Sequence, residues 1–253
     1  EMCIRDRAND DGLFWVKQRS STSTNEGYFG GLKLSDNYGL INMHSWNSPG
    51  RPPNTLLMVG TGDNFLTNPG QTSTVSVVYT PPAWNVNDPF GSPDFAIIRF
   101  DTPLTGPSIN IAPPNTVNNG DILTMVGFGW PAIAGQGFFP QRDGYVRGFR
   151  MVADNGFPAN VNRSGIFGGA FFSSNLDVPL IGNVSTEDSG GKVIKDGLVV
   201  GITSAVIGGT SVNGSAYYYN ITNNPIIQSF VPEPTSLAAV TIAMVLVLRR
   251  RER

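Results

Sequence analysis

Three residues that lie far apart in the chain have side chains that together could activate a nucleophile: His44, Asp94 and Ser189. A serine hydroxyl is a poor nucleophile at neutral pH, so it needs a base to take its proton. The base in turn needs a carboxylate that fixes its tautomer and stabilises its cation. His44 is the only histidine of the sequence. These residue types therefore predict a nucleophilic hydroxyl on Ser189, with His44 as its base and Asp94 as the carboxylate that supports His44.

The serine belongs to residues 188–191, Asp-Ser-Gly-Gly, and an apolar run follows at 198–204. The glycines leave room for a substrate backbone beside the hydroxyl, and a strand behind the turn could hold it still. Each feature also has a purely structural interpretation. The turn could be an ordinary surface turn, the histidine a hydrogen-bonded core or surface residue, and Asp94 the cap of a turn. The coincidence of order, interval and flanking runs favours the nucleophile.

The order His, Asp, Ser and the sequence around each residue resemble the chymotrypsin-like (trypsin-like) serine endopeptidases. The motifs that carry the resemblance are Phe29-Gly30-Gly31, residues 94–100 together with Thr102-Pro103-Leu104, residues 126–130 (Val-Gly-Phe-Gly-Trp) and residues 201–204 (Gly-Ile-Thr-Ser). The match covers most of residues 14–230.

The resemblance implies a serine endopeptidase that cleaves a protein or peptide substrate through an acyl-enzyme. Ser189 would attack the peptide carbonyl, His44 would take and return the proton, and Asp94 would orient His44. The backbone amides of Glu187 and Ser189 would form the oxyanion hole. This mechanism needs no metal and no cofactor.

Two departures from the family pattern lie next to the predicted site. Glu187 stands where the family has a glycine, so its β-carbon is expected to turn one oxyanion donor away and to weaken catalysis, by about 10² to 10³ in rate. Asn42 and Met43 replace the usual pair of alanines before the histidine, so larger side chains must fit behind the imidazole. An alternative function therefore stays open: a catalytically weakened, protease-fold surface or matrix-binding protein.

Three residues are expected from the resemblance to contact the substrate: Asn183, Ser204 and Val206. Asn183 aligns with the floor of the specificity pocket, and its lack of charge disfavours substrates with arginine or lysine. Ser204 belongs to the pocket wall. Val206 stands where members with an open pocket have glycine, so it predicts a preference for small apolar side chains. Asn183 and Val206 could equally be ordinary loop and strand residues.

Composition and patterning predict an all-β protein. Only 14% of the residues are charged, the net charge is −2, and 30 glycines and 19 prolines separate short apolar runs. This composition gives no basic field for nucleic acid. The resemblance adds two antiparallel six-stranded β-barrels with a cleft between them, residues 11–120 carrying His44 and Asp94 and residues 121–230 carrying Ser189. Residues 224–230, with asparagine as cap and proline in the first turn, predict a short helix.

The two ends of the sequence are expected to lie outside these barrels. Residues 1–10 resemble in part a translated adapter remnant, so we expect them to be non-native, although an ordinary charged surface segment is the alternative. They contain Cys3, the only cysteine, so no internal disulfide can form and stability must come from the core.

Residues 231–253 resemble the PEP-CTERM sorting signal of Gram-negative bacteria, with Pro-Glu-Pro, an apolar run at 237–248 and a basic end. The run would rise about 18 Å as a helix, short of the roughly 30 Å hydrocarbon core. The resemblance implies export, a hydrophobic sorting helix that enters the inner membrane transiently with its arginines inside, and processing by an exosortase-type enzyme. The protein would then reside in the cell envelope, on the surface or in the extracellular matrix. The alternative is an amphipathic or core helix with a charged end.

Overall fold

A computed structural model describes residues 11–47, 52–87, 92–129, 132–133, 137–138, 144–154, 168–170, 189–207 and 215–232. The described residues form fifteen strands and two short helices. The predicted all-β class is confirmed, because strands of two to ten residues pair into antiparallel sheets. Residues 1–10 and the predicted sorting helix at 237–248 lie outside the described residues.

Seven strands form the first sheet, and they pair antiparallel in the order β5-β4-β1-β2-β3-β7-β6. The strands are β1 (Leu13–Arg19), β2 (Glu26–Lys33), β3 (Tyr38–Ile41), β4 (Thr55–Gly60), β5 (Thr72–Ser73), β6 (Val75–Tyr79) and β7 (Ala96–Phe100). The two edge strands, β5 and β6, are separated in the chain by Thr74 alone. Because one residue joins the two edges, the sheet must curl round into a nearly closed barrel.

The first sheet has seven strands where six were predicted, because the chain changes partner at Thr74. Its hydroxyl donates to Asp101 Oδ2 at 2.6 Å, and its carbonyl accepts a hydrogen bond from the Ser73 hydroxyl at 2.7 Å. The residues before it pair with β4 and those after it pair with β7. The chain therefore forms two short strands here, β5 and β6.

Six strands form the second sheet, in the order β12-β11-β8-β13-β14-β15. They are β8 (Ile122–Gly127), β11 (Arg147–Asp154), β12 (Gly168–Ala170), β13 (Lys192–Lys195), β14 (Leu198–Ile207) and β15 (Ser215–Asn220). A separate two-stranded ribbon consists of β9 (Ala132–Ile133) and β10 (Gly137–Phe138). Among the described residues this sheet has six strands, the number expected for the second barrel, and its closure into a barrel stays a prediction.

The two helices are α1 (Met43–Trp46) and α2 (Pro225–Ser229). Helix α2 confirms the predicted short C-terminal helix: the Asn224 side chain accepts hydrogen bonds from the backbone amides of Ile226 and Ile227, both at 3.1 Å. Helix α1 is a single turn that the sequence did not predict. Within the described residues, no helix is long and apolar enough to cross a membrane.

The core between the two sheets explains why several strands are apolar on both faces. In β1, Phe14 and Val16 pack inside the first sheet, whereas Leu13 and Trp15 face the other way. Leu13 and Trp15 belong to a hydrophobic cluster that also contains side chains of the second sheet, such as Ile194. Burial of this shared layer holds the two sheets together. It stabilises the fold by roughly 25 cal/mol for each Å² of apolar surface removed from water.

Candidate active site

Ser189 lies in a tight turn just before β13, and this turn is bonded to both sheets. Gly190 donates its backbone N–H to the Thr203 carbonyl at 2.9 Å, and Thr203 donates to the Gly191 carbonyl at 2.8 Å, which joins the turn to β14. The Gly30 N–H on β2 donates to the Ser189 carbonyl at 2.8 Å. The position of the hydroxyl therefore depends on the first sheet as well as on its own.

Glycine is required on both sides of this contact. A β-carbon at Gly30 would lie 2.9 Å from the Gly190 carbonyl carbon, and one at Gly190 would overlap the Gly30 carbonyl oxygen. Gly190 also has a φ of +83°, a conformation that residues with a β-carbon rarely adopt. The glycines of residues 29–31 and 188–191, which the sequence singled out separately, thus meet in the fold.

His44 lies on the single turn of α1, directly after β3, and its ring joins the two other predicted residues. Nδ1 lies 2.7 Å from Asp94 Oδ2, and Nε2 lies 2.8 Å from Ser189 Oγ. An ionised carboxylate can only accept a hydrogen bond, so Nδ1 holds the proton and Nε2 is left as the acceptor for the Ser189 hydroxyl. The His44 side chain is 26% exposed, so the ring lies partly open to solvent.

Asp94 lies just before β7 and is buried, with its side chain 4% exposed. Burial by itself raises the pKa of Asp94, but the charge and hydrogen bond of His44, the Ser204 hydroxyl and the His44 backbone N–H outweigh it. The net effect is a pKa below the ordinary value, so the carboxyl is ionised at neutral pH. Its Oδ1 accepts the His44 N–H at 2.9 Å, which makes Asp94 the cap of α1 as well as the partner of the ring.

Ser204 lies on β14, and its side chain is directed at the carboxylate. Its hydroxyl donates to Asp94 Oδ2, and its carbonyl oxygen lies 3.5 Å from Ser189 Oγ. Sequence reasoning assigned Ser204 to the pocket wall and did not find this contact with Asp94. The predicted contact of Ser204 with the substrate stays a prediction.

Two further residues beside the ring were not assigned a role from the sequence. The Asn42 side-chain amide donates to Asp94, with Nδ2 at 3.2 Å from Oδ2 and 3.3 Å from the backbone carbonyl. The Ser45 hydroxyl lies 3.3 Å from His44 Nε2. Asn42 differs from the alanine usual in the family that the sequence resembles, but its partner is 52 residues away and could not be inferred from the sequence.

The remaining predicted residues cannot be placed in the site. Glu187 and Asn183 lie outside the described residues, and Val206 is described only as part of the β14 backbone. The oxyanion hole and the specificity pocket therefore stay predictions. Among the described side chains, no three acidic, cysteine or histidine groups come together as metal ligands would.

Comparison with known proteins gives a fold but no sequence relative. No protein-family model and no curated protein matches the sequence. The crystal structure of the scabies mite inactivated protease paralogue S-I1 matches this fold with a TM-score of 0.63, covering 90% of this chain and 98% of that chain. The chain has a chymotrypsin-like fold. The two sequences are 13% identical, so the likeness to this inactivated paralogue concerns the fold alone.

Proposed function

We propose that the protein is a serine endopeptidase that cleaves peptide bonds through an acyl-enzyme. The observation that carries the proposal is the unbroken path from Asp94 through His44 to Ser189, with contacts of 2.7 and 2.8 Å. A general base must lie within hydrogen-bond reach of the proton that it abstracts, and His44 Nε2 meets this condition. The ring is also partly exposed, so a substrate can approach it.

The mechanism follows from the direction of these hydrogen bonds. Ser189 Oγ attacks the peptide carbonyl while its proton passes to His44 Nε2, and Asp94 stabilises the imidazolium through Nδ1–H. The same Nε2 proton then passes to the leaving amine as the carbon–nitrogen bond breaks, which leaves an acyl-enzyme on Ser189. Water attacks the ester while His44 Nε2 takes its proton. The bond between the carbonyl carbon and Ser189 Oγ then breaks, which releases the acid product, and the proton on Nε2 passes to Oγ.

A fluorophosphonate probe, which reacts with activated serines, tests the proposal. We expect covalent labelling of the wild-type protein and none of Ser189→Ala. Ser23→Ala is the matched control, because Ser23 is exposed in the loop between β1 and β2. Labelled Ser189→Ala, or unlabelled wild-type protein with the native circular dichroism spectrum, would contradict the peptidase.

A second function is favoured by one residue. Glu187 puts a β-carbon and an acid where the family has glycine, so the protein could be a weakened protease-fold protein that serves surface or matrix binding. The same probe separates the two: a folded wild-type protein that does not react supports the binding protein. Hydrolysis of a peptide by the wild type, lost in Ser189→Ala, supports the enzyme.

We further propose a preference for small apolar residues before the scissile bond, because Asn183 is uncharged and Val206 is larger than glycine. Matched peptides with alanine, valine, phenylalanine or lysine at that position test it. We expect the alanine and valine peptides to be cleaved with the higher kcat/KM. A preference for the lysine peptide would contradict this assignment.

The final proposal concerns export. Residues 231–253 resemble a PEP-CTERM signal in the order of their three parts, so we propose sorting to the envelope, surface or matrix through an exosortase-type enzyme. Expression in a Gram-negative host with and without such an enzyme tests this. We expect the chain to lose mass at its C-terminal end and to reach the surface only when the enzyme is present. Identical mass and location in both hosts would contradict the proposal.

A further inference from the structure

Asn42 occupies the position just before α1, where an asparagine side chain ordinarily caps the helix. Here its backbone is extended, with φ −77° and ψ 140°, yet its side chain makes no capping hydrogen bond. The carboxylate of Asp94 bonds the His44 N–H in that first turn instead. The ordinary structural reason for an asparagine at this position is therefore missing.

The amide of Asn42 is fully buried and faces Asp94 with its nitrogen. Nδ2 lies 3.2 Å from Asp94 Oδ2 and 3.3 Å from the Asp94 carbonyl oxygen. The reverse orientation would place Oδ1 against these two acceptors, which have no proton to donate, so the nitrogen must point towards them. One amide group thus links the carboxylate of Asp94 to the backbone of the same residue and restricts rotation of its side chain.

This arrangement has a cost, because Asn42 Oδ1 is buried and has no hydrogen-bond partner among the described residues. A buried polar atom without a partner destabilises the folded state, and an apolar residue of similar size would avoid that penalty. Locally unfavourable choices of this kind are expected at functional sites. The contact between the Asn42 amide and Asp94 is then the advantage that offsets this loss of stability.

We infer that Asn42 is a positioning residue that holds the Asp94 carboxylate in the orientation in which it accepts the His44 Nδ1 proton. The inference rests on the proposed function, since the orientation matters for the triad. Asn42 and His44 are two residues apart at the junction of β3 and α1, so the same backbone segment places the ring and its carboxylate. Ser204 bonds the same Oδ2 from the second sheet, and Asn42 bonds it from the side of the first sheet, where the His44 N–H holds Oδ1.

Asn42→Leu tests this, because leucine has nearly the same size and can neither donate nor accept. We expect kcat to fall about 10- to 100-fold with little change in KM, since a lost hydrogen bond to a charged group and a misplaced base both act after binding. Asn42→Ala, which also lacks the amide, is the second variant in case leucine disturbs packing. Asn37→Leu, at an exposed position on the loop before β3, is the matched control.

A second readout does not depend on activity. The protein has one histidine, so the ¹⁵N chemical shifts of its two ring nitrogens report directly which of them holds the proton. We expect the Nδ1–H tautomer in the wild type and in Asn37→Leu, and a mixture of tautomers in Asn42→Leu and Asn42→Ala.

The two readouts keep this inference separate from the proposed function. An inactive wild type whose tautomer still changes in Asn42→Leu would end the peptidase proposal and support the positioning role. Wild-type kcat and the wild-type tautomer in both folded Asn42 variants would overturn the inference and leave the peptidase intact. Loss of folding in both variants, judged by circular dichroism, would mean a structural role and would overturn it as well.

Discussion

The backbone N–H of Gly30 donates a hydrogen bond to the carbonyl of Ser189 at 2.8 Å, across the boundary between the two sheets. Ser189, the proposed nucleophile, is thereby attached to β2, which pairs with β3, the strand before His44. Small shifts of one sheet against the other must change the distance between the hydroxyl and the imidazole. The glycine pair is therefore as relevant to the proposed chemistry as the three side chains.

Gly30→Ala is expected to lower kcat/KM by about 10²-fold while the protein stays folded. The new β-carbon would lie 2.9 Å from the Gly190 carbonyl carbon, so the Ser189 turn must shift, and misplacement by about 1 Å can cost that much. Gly27→Ala on the same strand is the control, because the nearest atoms to its β-carbon lie 4.0 Å away. Steady-state kinetics of both variants, with thermal unfolding as the check on folding, measure the effect. Equal kinetics of the two variants would contradict the coupling.

Ser204→Ala is expected to lower kcat about tenfold with KM nearly unchanged. The substitution removes the hydroxyl that donates to Asp94 Oδ2, and that donor helps to hold the carboxylate beside His44. Kinetics on peptides that differ only in the residue before the scissile bond measure it. An altered preference among those peptides, with kcat intact, would instead favour the predicted contact of Ser204 with the substrate.

Stability in acid should depend on Asp94. Its pKa is lower in the folded protein than the ordinary 3.8, so between the two pKa values the unfolded chain binds more protons. The stabilising contribution is thus fully present above about pH 5 and is lost as the pH falls through the folded pKa. Asp94→Asn lacks this titration, so the wild type should lose more unfolding free energy between pH 5 and pH 3 than the variant does.

Urea unfolding at a series of pH values measures this difference. Asp196→Asn is the control, because Asp196 is exposed, and asparagine accepts its φ of +51° equally well. It should follow the wild type across the series. Parallel curves for the wild type and Asp94→Asn would show that Asp94 does not carry the acid sensitivity.

Glu187→Gly is expected to raise turnover, by up to about 10²- to 10³-fold if one oxyanion donor is turned away in the natural sequence. The measurement is kcat on a small apolar peptide, with Glu187→Gln as the control that removes the charge but keeps the β-carbon. A rise in Glu187→Gly alone would assign the defect to backbone conformation, and a rise in both would assign it to charge. Unchanged or lower turnover in Glu187→Gly would refute the account.

Some parts of the fold could be predicted from short stretches of sequence, and others could not. The β class and the helix with Asn224 at its cap follow from apolar runs, turn residues and capping chemistry, whereas the number of strands in each half was implied by the resemblance alone. The seven strands of the first sheet could not be predicted in the same way. The division between β5 and β6 at Thr74 depends on strands β4 and β7, which lie far away in the chain. Helix α1 was missed because one turn has too few residues for a periodic pattern.

Residue types and their order in the chain establish which chemistry is available: a single imidazole, a serine beside two glycines and an aspartate before an apolar strand, in an order that predicts a triad. The surroundings of these groups follow from the folded chain, in which Ser204 and Asn42 both donate to Asp94 and Gly30 bonds the carbonyl of Ser189. Residue type and short spacing are local properties, whereas these contacts depend on how two sheets pack and on which strands lie side by side. The roles of Asn42 and Ser204 therefore became apparent only in the folded chain.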